Sequence, residues 1–104
     1  MSRKEKIMAM LAEEPHDVFL RYSLAMEHRS DGETQASLDL LDKLIAEQPP
    51  HVASFFMAAQ QVAEQDQVER ARAYLRDGIE AARDQGDGHA ASEMSEFLMM
   101  LGDE

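Results

Sequence analysis

Residues 15–48 read PHDVFLRYSLAMEHRSDGETQASLDLLDKLIAEQ, and residues 49–82 read PPHVASFFMAAQQVAEQDQVERARAYLRDGIEAA. Pro15 and Pro49 therefore stand 34 positions apart. After each proline come a helix-length segment, a turn signal and a second apolar stripe, so one two-helix unit occurs twice. A helical hairpin of this size cannot bury its apolar faces alone; it needs a neighbour of the same kind to stack against. The expected fold class is all-α.

The first unit opens at Asp17 with a helix carrying Phe19, Leu20, Tyr22, Leu24, Ala25 and Met26, and it stops at Ser30-Asp31-Gly32. Glycine there takes the left-handed conformation at little cost. Ala36, Leu38, Leu40, Leu41, Leu44 and Ile45 then form an apolar stripe wide enough to touch two neighbours, ended by Pro49-Pro50. In the second unit Pro50 suits a helix start, Phe55, Phe56, Ala58, Ala59, Val62 and Ala63 fill one helix, and Asp66 is read as the N-cap of the next. Val68, Ala71, Leu75, Gly78, Ile79 and Ala82 continue at spacings of three and four.

Working outward, Ser2-Arg3-Lys4-Glu5 has the form of a capping box, and Ile7, Met8 and Leu11 share a helical face as far as Glu14-Pro15. A lone helix over residues 2–13 is expected. On the other side Gly86-Asp87-Gly88 breaks the pattern before Ala90, Ala91, Met94, Leu98 and Leu101, with Phe97 at the margin of their face. The expected organisation is one domain over 1–104: a lone helix at 2–13, units at 15–48 and 49–85, and a capping helix at 88–102.

With this organisation the chain resembles a tetratricopeptide repeat (TPR) protein, similar to the small bacterial members of that family that begin with a lone helix and end with a capping one. The family signature spaces an aromatic, Leu-Gly, an aromatic, a small residue, another aromatic and a closing proline. The first unit has Arg21, Leu24-Ala25, His28, Ser37, Leu41 and Pro49 at those spacings, and the second has Phe55, Ala58-Ala59, Val62, Ala71, Leu75 and Arg83. Small residues at Ala25, Ser37, Ala59 and Ala71 are explicable mechanically, since helices approach closely only where side chains are short. Arg21, His28, Arg83 and Asp66 depart from the signature, and Phe19 and Tyr22 are expected to supply the missing aromatic bulk.

The resemblance implies a right-handed solenoid of about six antiparallel helices whose first helices line a concave groove. Tyr22, Met26 and Arg29 of one unit and Phe56, Gln60 and Ala63 of the next would face it. Aromatic and thioether side chains bury area at little entropic cost, and Arg29 and Gln60 can satisfy the polar groups of a peptide. A noncatalytic adaptor that binds a protein or peptide is the expected function. A receptor for a partner's C-terminal carboxylate is disfavoured, because such domains use Lys, Arg and Asn along the groove and this chain has no Asn and three Lys.

Composition removes other classes. Twenty-one acidic against ten basic residues give a net charge of -11, which repels nucleic-acid phosphates and anionic lipid surfaces. With seven Arg and three Lys, the same balance also suits a halophilic source. No apolar run suggests a signal peptide or membrane span, so the expected location is cytoplasmic. Without cysteine there is no thiolate nucleophile and no cysteine-based metal site. His16, His28, His51 and His89 lack metal-pair spacing, and no glycine-rich phosphate loop or serine elbow occurs. No enzyme activity, cofactor or metal is expected.

Two readings compete with peptide binding. Met94, Phe97, Leu98, Met99, Met100 and Leu101 are more apolar groups than one buried face needs, so the C-terminal helix could join two copies as a homodimer. The other is a passive segment of a larger complex.

Overall fold

The Ser2 hydroxyl accepts the Glu5 amide at 3.1 Å while the Glu5 carboxylate accepts the Ser2 amide at 2.9 Å, closing the capping box that starts α1 (Arg3–Glu13). The computed structural model describes residues 1–102; the last two positions of the expected 1–104 domain lie outside the described residues. Five more helices follow: α2 (Val18–Ser30), α3 (Thr34–Ile45), α4 (Val52–Glu64), α5 (Val68–Asp84) and α6 (Gly88–Met100). Asp17 caps α2, its carboxylate accepting the Leu20 amide at 2.8 Å. Among the described residues there is no strand.

Three local expectations are corrected. Asp66 does not cap α5; it adopts φ 61 in the turn after α4, the position that Gly32 occupies at φ 78 one repeat earlier. A short turn between antiparallel helices demands one left-handed residue, and aspartate tolerates that conformation better than most. Gln67 takes the N-cap position and makes no side-chain cap bond. Pro50 stands ahead of α4 rather than at its first turn, with His51 at the N-cap position. Phe19 supplies no interior bulk: it is 74% exposed.

Each helix packs against the next in the chain, and α4 also reaches α6. The molecule measures 46 × 30 × 19 Å. Since one helix with its side chains is about 10–12 Å across, the short dimension holds two helical layers. Ala25, Ser37, Ala59 and Ala71 are completely buried, so the small residues lie where helices meet. Ser37 shows how close the meeting is, for its hydroxyl donates to the Ala25 carbonyl of α2 at 2.7 Å and accepts Gln61 Nε2 of α4 at 2.9 Å. Gly78 serves the same purpose on α5, where Phe55 and Met94 press against its bare Cα.

The terminal helices are tied down by charge. Lys4 of α1 meets Glu33 at 2.7 Å and Asp31 at 3.2 Å in the α2–α3 turn. Arg72 of α5 donates to the carbonyls of Leu101 and Gly102 at 3.0 and 3.2 Å, satisfying carbonyls that the end of α6 leaves without helical partners. Among the described residues no helix is long and apolar enough to cross a membrane.

Candidate functional site: a cleft lined by the first helices

Side chains of α2, α4 and α6 meet on one face of the molecule, where all three helices line the same concavities. Neighbouring members are joined through side chains. Arg29 of α2 donates to Glu64 of α4 at 2.8 Å, and the Tyr22 ring meets His51, just ahead of α4, edge-on at 5.0 Å. Phe56 of α4 stacks on Phe97 of α6 at 5.7 Å with the ring planes 23° apart. Such an offset aromatic pair contributes about 0.5–1.5 kcal/mol beyond its buried area.

These contacts leave two concavities. One, of about 300 Å³, is lined by Tyr22, Phe56, Met57 and Met94, with Asp87 and Glu93 also at its wall. A shallower one, of about 520 Å³, is lined by Arg29, Gln60, Ala63, Glu64 and Phe97. Five of the six side chains read from the sequence therefore border a concavity, divided between the two. Met26 borders neither; it is partly buried against the core. All six are neither fully buried nor fully exposed.

Arg29 is not a free clamp, because its guanidinium already holds Glu64. The contribution of α6 was not legible as groove lining: Ala90, Glu93, Met94 and Phe97 all take part. Glu93 and Phe97 are four residues apart and thus on one helical face. That spacing was the available signal, but it does not say which neighbour the face meets.

Burial raises the Tyr22 pKa above its ordinary 10.0, with Arg29 pulling the other way, so the phenol stays protonated. Its hydroxyl makes no hydrogen bond among the described residues. Desolvation, then Arg21, holds the His51 pKa below 6.5 and favours the neutral ring. His51 Nδ1 lies 2.7 Å from the Ser54 hydroxyl, the separation of a base and its nucleophile. Ser54 is nevertheless completely buried inside α4, where no substrate reaches it. Among the described residues no three His, Asp or Glu side chains converge as a metal site requires.

The fold matches solved structures. A protein of Bordetella parapertussis, known from a solution structure, superposes with a TM-score of 0.82 over 98% of this chain and 89% of its own, at 24% sequence identity. A tetratricopeptide repeat domain protein of Salinibacter ruber superposes with a TM-score of 0.79 over 86% of this chain and 92% of its own, at 28% identity. No family model matches the sequence. No curated protein matches it either. The fold is thus all-α and TPR-like, as the 34-residue period implied.

Proposed function

We propose that this chain is a noncatalytic protein–protein interaction module that holds a peptide or helix of its partner against α2, α4 and α6. Residues 1–104 act as one domain, a right-handed TPR-like solenoid working in the cytoplasm. The cleft at Tyr22 and Phe56 carries the reading, because it is concave, mainly apolar and supplied with polar groups at its wall. Binding there is noncovalent recognition by a preformed helical surface and requires no cofactor. The likeness to a tetratricopeptide repeat domain protein supports the same class of activity.

The test is affinity capture with wild type beside a Tyr22→Ala plus Phe56→Ala variant whose circular dichroism confirms folding. Capture that depends on these two rings is the expected result, and an identical set of partners from both proteins would overturn the reading. Self-association is a second reading favoured by one observation: Met99 and Met100 are 74% and 81% exposed on α6. Light scattering over a concentration series decides it, a persistent monomer excluding the dimer.

A further inference from the structure

We infer that the cleft at Tyr22 takes a cationic amphipathic segment, which seats one large apolar side chain against Tyr22, Phe56 and Met94 and places a neighbouring Lys or Arg beside Asp87 and Glu93. The inference rests on the interaction-module reading and deepens it by naming the chemistry of the partner. A volume of about 300 Å³ has room for a large aromatic or long aliphatic side chain and part of the segment that carries it. Two thioethers, Met57 and Met94, let the wall adapt to the shape of that anchor.

Charge selects the sign of the partner. On the concave layer Glu64 of α4 is neutralised by Arg29 at 2.8 Å, and in the link between α3 and α4 Glu47 pairs with Arg21 at 3.2 Å. Asp87 and Glu93 have no such cation. Asp87 accepts the Ala90 amide at 3.1 Å as the cap of α6, and Glu93 meets the His89 ring at 3.4 Å, with no Lys or Arg bridging to either among the described residues. Both border the apolar cleft, so two carboxylates without a Lys or Arg partner among the described residues sit next to the seat of the anchor. A chain of net charge -11 reinforces the preference and repels acidic competitors. The Tyr22 hydroxyl, unpaired among the described residues, offers one further hydrogen bond to the segment.

A displayed library of random linear peptides, panned on the folded chain, tests this. Ala53 is exposed at the edge of the cleft, so Ala53→Trp closes it without disturbing the core. Peptides lost to Ala53→Trp should carry a Lys or Arg beside a large apolar residue. Their affinity should fall about three- to fivefold on Glu93→Gln, and further as salt is raised. Cleft-dependent peptides with no excess of Lys or Arg, or with affinities that Glu93→Gln leaves unchanged, would overturn the inference while leaving the interaction module in place. No cleft-dependent peptide at all would overturn both.

Discussion

Replacing Gly78 with alanine sets two effects of opposite sign against each other. Glycine in a helix interior costs about 1 kcal/mol relative to alanine, so propensity alone makes Gly78→Ala stabilising. The structure reverses the sign. A Cβ at this position would lie 2.6 Å from Phe55 Cβ and 2.6 Å from Met94 Sδ, with Phe55 Cγ at 2.9 Å. Carbon atoms in contact prefer about 3.5–4.0 Å, so each approach is about 1 Å too short. Met94 can swing its thioether aside, but Phe55 Cβ is one bond from the α4 backbone and moves only with that helix. Overpacking of this kind costs about 1–3 kcal/mol, and two contacts at 2.6 Å, one of them to an atom that cannot swing away, put it at about 2–3 kcal/mol, so that after the propensity gain the net loss is about 1–2 kcal/mol. For a domain of this size that lowers the thermal midpoint by about 5–15 °C. Urea unfolding followed by far-ultraviolet circular dichroism measures it. Gly88→Ala supplies the control, since nothing lies within 4 Å of its new Cβ; at the first position of α6 its gain comes from a less flexible unfolded chain, about 0.4–1 kcal/mol. A Gly78→Ala protein as stable as wild type would refute the close approach of α5 to α4 and α6.

Two other perturbations probe the interior and the outer wall. Ser37→Ala removes the bonds to the Ala25 carbonyl and from Gln61; since Gln61 Oε1 already lacks a partner, the whole buried amide is then unsatisfied, at a cost of about 1–3 kcal/mol. A urea midpoint indistinguishable from wild type would show that this bridge contributes nothing. Tyr74 donates to Asp42 at 2.7 Å, and burial, followed by that carboxylate, pushes its pKa up to about 12 against Arg70 pulling it down. A raised pKa means that the stabilisation is complete below the ordinary 10.0 and is lost as pH climbs toward 12. Tyr74→Phe should therefore flatten the fall in stability over that interval, and an unchanged alkaline slope in equilibrium unfolding would contradict the assignment.

Local chemistry was legible residue by residue. Ser2 and Asp17 cap helices as their positions imply, because an N-cap needs only its own side chain and amides two or three places on. Asp66 was misread for a related reason. Aspartate serves equally as an N-cap or in a left-handed turn, and the short link between α4 and α5 chose the second. Phe19 shares the apolar face of α2, yet periodicity cannot say whether a neighbour exists to cover it. The lining of the cleft divides in the same way: Tyr22 and Phe56 follow from the repeat, whereas Glu93 and Met94 join it only because α6 lies beside α4.

By itself, the sequence determined that the chain is a set of antiparallel helical hairpins. The 34-residue period, the spacing of apolar residues and the small residues at Ala25, Ser37, Ala59 and Ala71 are all properties of the chain read in order. Only the tertiary structure decided what the concave layer presents: Arg29 already paired with Glu64, Phe56 stacked on Phe97, and a mainly apolar cleft bordered by Asp87 and Glu93. The physical reason is that helical periodicity assigns each residue to a face, while the partner of that face depends on how closely distant segments pack. That distance is set by atoms such as the missing Cβ of Gly78, far along the chain from the residues they bring together.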